Sequence, residues 1–376
     1  MNLRAARAAQ LAATDSGVRA RGVSPCFAGT AADFMLVGGA SILLFAVFWI
    51  WGIEARSPAI YTVAAWLVWV VNWPHFSATS YRLYSSANLQ DYRVTALAVP
   101  CLVGAGLLVA LLGPAVVAAL WVKLFLIWSP YHFSGQSLGI TKVYARRAGV
   151  LLPPWLARVF EVFIFGTFLT QTLRAEVATA GMSYYGIHVP ALGVPAALVT
   201  VAIVMTTTSA IVIAGFACVW SVQNRRLFPA LILLPAVTQF IWFIPGASVP
   251  AFQEFVPAFH GMQYLLIAWS IQVCERATSR QSVTDRFVLL ETFRWGVPIF
   301  VGGAVLFYVL PRVCAWTFGT PLLFTTGIVV AAVQLHHFIV DGVIWKLRRA
   351  TVASPLLMSV GSLRSHQELQ PMRVAV

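Results

Sequence analysis

Charge is scarce in this sequence: only 10% of its 376 residues are Asp, Glu, Lys or Arg, and just 12 are acidic. A chain of that length folding in water needs a far more polar coat, so a soluble globular protein is excluded. Paired cysteines are missing as well. Cys26, Cys101, Cys218, Cys274 and Cys314 stand singly, which excludes a zinc ribbon, a redox pair or a disulfide framework and leaves them as small apolar residues. The first 30 residues carry Arg4, Arg7, Arg19 and Arg21 but no continuous apolar core. They read as a cytoplasmic tail and not as a cleaved secretory signal.

What the sequence has in abundance is apolar length. It is 60% hydrophobic, with 25 Phe and 14 Trp, and windows of about 20 apolar residues, the length a bilayer demands, fall near 33–53, 59–83, 95–112, 115–142, 155–173, 195–219, 227–246, 252–275, 293–311 and 321–346. The expected fold is an all-α, polytopic transmembrane bundle of about ten spans. Residues 1–30 form an N-terminal tail, 31–349 the membrane domain and 350–376 a C-terminal tail. With both termini cytoplasmic, every Lys and Arg except Arg56, Lys123, Arg174 and Arg312 falls on or near the inner side, as Lys and Arg do in membrane proteins. The formal net charge of +13 is therefore a topology signal with some attraction to anionic lipid. Spread over many loops without a recognition module, it does not indicate nucleic-acid binding. The inner, cytoplasmic membrane of the cell is the expected location.

Histidine is the informative residue type. Of the seven, His188 falls in an outer loop and His366 in the C-terminal tail. The remaining five, His75, His132, His260, His336 and His337, lie in spans 2, 4, 8 and 10, which all run from outside to inside. At about 1.5 Å per helical residue, measured from the inner end of each span, His75 lies ~10 Å deep, His132 and His336 ~15 Å, and His260 ~22 Å. That spread suits one cluster in a tilted bundle. A polar group in hydrocarbon costs several kcal/mol unless it is partnered, so such a cluster needs either mutual satisfaction or a ligand.

Two of these sites share a pattern, "HFSATS" from His75 and "HFSGQS" from His132. Polar residues also recur at helical spacing: Thr79 is at i+4 from His75, Gln136 at i+4 from His132, Gln263 at i+3 from His260 and Asp341 at i+4 from His337. A metal-bound imidazole commonly gives its second N–H to such a neighbour, which fixes its tautomer. His75, His132, His260 and His337 are accordingly the candidate metal ligands. Gln136, Gln263 and His336 are candidates to support the cofactor by hydrogen bonding, and Asp341 to orient His337; as an interfacial alternative Asp341 pairs with Lys346. Glu161 is a further candidate, as fifth ligand or proton carrier; its alternative is an ion pair with Arg158 three residues earlier. The Phe and Trp residues of these spans read as packing or lipid-facing groups.

The desaturase and alkane-hydroxylase pattern, two or three histidines within five residues, is absent, the one close pair being His336-His337. Single histidines dispersed over several spans, one of them in the Pro-His step of "NWPHF" at Asn72–Phe76, resemble instead the Brp/Blh-type membrane carotenoid dioxygenases. The resemblance covers those few residues and the architecture, and it implies a histidine-ligated centre in the membrane. Imidazole with carboxylate suits iron, copper or zinc, and the lack of Cys and Met around the sites, Met262 being the lone exception, disfavours Cu(I). The expectation is a membrane oxidoreductase with non-haem iron acting on a lipophilic molecule or membrane lipid, with zinc also compatible. A haem protein for electron transfer, a proton- or metal-coupled transporter and an assembly subunit are the alternatives.

Overall fold

The computed structural model describes residues 26–53, 57–85, 89–177, 180–277 and 283–345, together with Leu356 and Val360. Most of both expected tails, Arg56 and Lys346 lie outside the described residues. Within them the chain forms ten long helices, one for each apolar window. These are α1 (Thr30–Ile50), α2 (58–85), α3 (Leu89–Leu112), α4 (Ala115–Arg147), α5 (Pro154–Val177), α6 (Ala196–Asn224), α7 (Ala230–Phe243), α8 (Val256–Ala277), α9 (Asp285–Phe318) and α10 (Leu322–Ile344). Eight are long and apolar enough to cross a membrane, α7 when taken with the turns that continue it as Ala230–Ser248. The two that fall short, α2 and α8, carry His75 and His260, whose polar neighbours dilute their hydropathy.

The helix ends follow local chemistry. Ser57 accepts from the Ile60 amide with Pro58 at the first helical position, and Thr284 accepts from the Phe287 amide ahead of Asp285; both are N-caps that satisfy otherwise orphaned donors. Gly319 closes α9 in the left-handed conformation, as a helix C-terminus favours. The loop after α5 carries structure that the apolar windows do not indicate. It is a hairpin of β1 (Met182–Tyr184) and β2 (Ile187–Val189), turned by Tyr185 and Gly186 at positive φ, the conformation that a two-residue hairpin turn requires. Ile187 and Val189 pack on the core beside α10, while His188 is exposed.

Helices α2, α4, α8 and α10 form the centre. In the most apolar 18-residue stretch of α10, 67% of residues are buried, against 22% in that of α6 at the periphery. Outward faces carry large apolar side chains such as Trp49, Trp316 and Leu227, which a hydrocarbon solvent tolerates and water does not. Lys123, one of the exceptions to the basic asymmetry, is buried and ion-paired with Glu176. Residues 26–29, assigned to the tail by sequence, fold onto α4. Asp33 accepts from the backbone amides of Phe27, Ala28 and Gly29 and from the Tyr144 hydroxyl.

Glycine sets the position of α2. A Cβ at Gly303 on α9 would lie 2.7 Å from the carbonyl carbon of Trp73 and 2.9 Å from the nitrogen of Pro74, and one at Gly261 on α8 would lie 3.4 Å from the Asn72 Cα. Helix α2 is thus wedged between two backbones at its proline, one residue before His75. Pro74 has no N–H to give to the preceding turn, and residues Val68–Asn72 just before it are wound as a π-helix, a distortion that often accompanies functional sites.

Candidate metal centre

Four helices bring four imidazoles around one point. Ring centroids of His75 and His337 are 4.7 Å apart, those of His337 and His132 4.7 Å, His132 and His260 5.2 Å, and His260 and His75 5.2 Å. The four rings therefore follow one another around a closed circuit, α2 to α10 to α4 to α8. His75 and His260 are fully buried and His337 is almost so. Donor atoms of His75, His260 and His337 all lie within 4.8 Å of one another, as do those of His132, His337 and Asp341. The two groups share His337, so together they form one five-residue set.

The tautomers follow from the partners. His75 Nδ1 is 2.7 Å from the backbone carbonyl of Asn72; a carbonyl only accepts, so Nδ1 carries the proton and Nε2 keeps its lone pair. Thr79 donates to Asp341 Oδ1 at 2.9 Å, and its oxygen is 2.8 Å from His337 Nδ1. With its proton committed to the carboxylate, Thr79 accepts from Nδ1–H, so His337 also presents a bare Nε2. Those two Nε2 atoms are 3.3 Å apart, and His132 Nε2 is 3.1 Å from that of His337. Lone pairs facing each other at that distance repel unless a proton or a cation lies between them. Metal–nitrogen bonds of ~2.0–2.1 Å at ordinary coordination angles place neighbouring nitrogens ~3.0–3.4 Å apart.

His260 gives a second indication. Both of its ring nitrogens are buried without a hydrogen-bond partner, an arrangement that ordinarily costs ~1–3 kcal/mol per orphaned group. A metal ion accepts one of these nitrogens as a ligand, so the residues present fit a cation. Asp341 completes the set. Its Oδ1 takes hydrogen bonds from Thr79 at 2.9 Å and Trp345 Nε1 at 3.2 Å, while the Tyr264 hydroxyl, 3.3 Å away, gives its proton to the Thr79 oxygen at 2.6 Å. Its Oδ2 is turned toward the imidazoles, 3.4 Å from His337 Nε2 and 3.8 Å from His132 Nε2. One oxygen is tied back and the other is free to ligate.

Several expected roles change. Gln136 does not meet the His132 ring: its amide donates to the His260 carbonyl and to Gln263 Oε1, both at 3.1 Å. Gln263 likewise leaves the His260 ring alone and donates to the Val37 carbonyl. The two glutamines therefore tie α4, α8 and α1 together behind the imidazoles and hold helices, not rings. Thr79 serves His337 on the opposite helix and not His75 on its own, because His75 Nδ1 is already bound to the Asn72 carbonyl at the end of the π-helical turn. His336 is half-buried and joins neither donor group, since adjacent helical residues diverge by about 100°. Glu161 is bound to Arg158 at 2.8 Å on the outer face of α5, away from the imidazoles. The ion-pair alternative describes its surroundings. Asp341 is buried at 7% exposure, unlike a solvated interfacial carboxylate.

The sequence reading passed over Tyr264 and Trp345. Their signal was the same four-residue spacing, Tyr264 after His260 and Trp345 after Asp341. It also treated the aromatic residues as general packing, whereas three of them clamp the imidazoles. Phe133 stacks on His260 (centroids 3.9 Å, 18°), Phe338 on His132 (4.6 Å, 26°), and Phe76 meets His337 edge-on at 4.7 Å. Each is the residue that follows a site histidine, and each packs on the histidine of the next helix around the circuit.

A cavity of about 310 Å³ adjoins the donor set between α4, α5, α8 and α10, reached by His132, Asp341, Gln136 and Tyr264 and otherwise lined largely by apolar and aromatic side chains. No family model matches the chain, and no curated protein or solved structure is found to be similar to it.

Proposed function

We propose that this membrane protein is a metal-dependent oxidoreductase whose ion is held by His75, His132, His260 and His337 with Asp341, and which acts on a lipophilic molecule in the adjoining cavity. The observation that carries the reading is the convergence, inside an apolar bundle, of four imidazoles from four helices, among which His75 and His337 bring bare Nε2 atoms to 3.3 Å from each other. A set of nitrogen and carboxylate donors without sulfur favours iron over softer ions, with zinc the other fit. The ring spacings of 4.7–5.2 Å support a bare ion over a haem, because a porphyrin plane finds no slot between rings so close. An iron ion bound there would supply one-electron redox chemistry at the edge of the cavity. The similarity of the Pro-His step to the Brp/Blh-type dioxygenases points in the same direction.

The protein's own residues do the remainder. Asn72 and Thr79 fix two tautomers, Asp341 balances cationic charge, and the Phe clamps hold the rings. The enclosing apolar helices keep water from the reacting groups and admit substrates that partition into hydrocarbon. The test is metal analysis of the protein purified in nanodiscs, followed by iron-specific spectroscopy. One tightly bound iron per chain, lost in His132→Ala and His337→Ala but kept in His188→Ala, is expected. Absence of bound metal in the wild-type protein, or full occupancy in both ligand variants, refutes it.

A further inference from the structure

The shape of the cavity beside the donor set restricts what can enter it. Gly135 and Gly139 on α4 and Gly342 on α10 line it, and a Cβ at any of the three would meet no atom within 4 Å. The room is thus created by side chains left out, one and two turns beyond His132 on the same helix. The rest of the lining includes Trp128 and Ile140 on α4 itself, Ile267 on α8 and Phe338 on α10. A volume of about 310 Å³ is at the lower end of the ~300–1,000 Å³ usual for ligand sites. It accommodates a segment of a long molecule and not two chains side by side.

A second cavity, of about 370 Å³, lies on the outer side of α5 and shares Tyr131 and Phe165 with the first. Those two rings are 5.1 Å apart. Apart from the Arg158–Glu161 ion pair, its other walls are apolar, among them Leu169 on α5 and Met205 on α6, both exposed on the outer surface. Tyr131 and Phe165 thus stand between the two cavities, at the seam of α4 and α5, and separate the donor-set side from the lipid-facing side.

We propose that the inner cavity receives the terminal segment of a linear, single-chain lipid that enters sideways from the bilayer past Tyr131 and Phe165, with Gly135 and Gly139 setting a width of one hydrocarbon chain. This deepens the reading above, since it places the end of the chain against His132 and Asp341. The outer cavity holds the part of the chain that the inner one is too small to contain. Gln136 Oε1, buried without a partner at the cavity wall, offers an acceptor to a hydroxyl or other donor carried by that segment.

The test uses full-length protein in nanodiscs and a palmitic acid analogue with a diazirine near its methyl end, photolysed and mapped by peptide mass spectrometry. Labels are expected on Trp128, Tyr131, Ile140 and Ile267, displaced by excess palmitic acid and not by a diacyl phosphatidylcholine. Gly139→Leu and Gly135→Leu should each cut this labelling about tenfold, the factor that a steric cost at the low end of the overpacking range implies. Gly215→Leu, at an exposed position of α6 where a Cβ also meets nothing, should leave it unchanged. Melting curves of all three variants verify that they fold. Labels spread evenly over α3 and α6, or unaffected by leucine at both cavity glycines, overturn the proposal. Labelling needs no metal, so a metal-free protein that labels as described would keep the lipid site and discard the redox reading. A metal-loaded protein that labels evenly would do the reverse.

Discussion

Replacing Thr79 by valine keeps the shape of the side chain and deletes one oxygen that three groups share. That oxygen is 2.8 Å from His337 Nδ1, 2.9 Å from Asp341 Oδ1 and 2.6 Å from the Tyr264 hydroxyl. In Thr79→Val, Asp341 Oδ1 keeps Trp345 as a donor and gains the released Tyr264 hydroxyl 3.3 Å away, whereas His337 Nδ1–H loses its acceptor in a fully buried position. An orphaned buried donor costs ~1–3 kcal/mol. The imidazole can escape that cost by moving its proton to Nε2, but Nε2 is then unable to bind metal. Either route weakens the bound state, and ~1.4–2.8 kcal/mol corresponds to a 10–100-fold loss of affinity. Chelator competition on purified protein measures the loss directly. Thr79→Ser should restore most of the affinity, because the hydroxyl returns while the methyl does not. If Thr79→Val binds within twofold of wild type, or if serine fails to rescue it, the tautomer argument is wrong and Thr79 is a packing residue.

Other substitutions separate the remaining roles. Asp341→Asn keeps the hydrogen bonds to Oδ1 but removes the charge that faces His337 and His132, so metal affinity should fall about 10–100-fold, read by the same competition. Phe133→Leu removes the stack on His260 and should cost ~0.5–1.5 kcal/mol of binding beyond any lost packing area, with titration calorimetry as the measure. Glu161→Gln, at an exposed pair with Arg158, should leave metal content unchanged and stability within ~1 kcal/mol in thermal melts; loss of metal would return Glu161 to the site. Gly303→Ala forces backbone apart at Pro74, and a cost of ~1–3 kcal/mol in the same melts is expected, with weaker metal binding because His75 is the next residue.

The number of helices and the identity of the four histidines were legible in the sequence because both depend on local quantities. Span length follows bilayer thickness, and a histidine in an apolar window is conspicuous wherever it lies. Hydrogen-bond partners were less legible, because spacing along a helix shows which residues share a face but not what that face meets. Thr79 shares a face with His75, yet His75 Nδ1 is already bound to a backbone carbonyl at the end of the π-helical turn, leaving Thr79 to the histidine opposite. Gln136 and Gln263 were placed on the correct helices and assigned to the wrong partners for the same reason. The glycines that seat α2, Gly261 and Gly303, gave no signal at all, since a close backbone approach is a property of two helices and sequence spacing describes one.

The matching "HFS" at His75 and His132 finds its reason in the circuit of rings. On α2, α10 and α4 a Phe follows the histidine and packs on the histidine of the next helix, so the dipeptide recurs at Phe76, Phe338 and Phe133 in three unrelated stretches. The fourth step, from α8 to α2, breaks the pattern: the residue after His260 is Gly261, and its Cα faces the backbone of Asn72 at a distance that leaves no space for a ring. Close packing at that step is also what holds Asn72, whose carbonyl fixes the tautomer of His75. Three imidazoles are thus positioned by an aromatic side chain and the fourth by a backbone carbonyl that a glycine holds in place. The recurrence reflects a shared task around one centre, which a duplicated segment of chain would not by itself explain, because α10 carries the same dipeptide without the serine that follows it on α2 and α4.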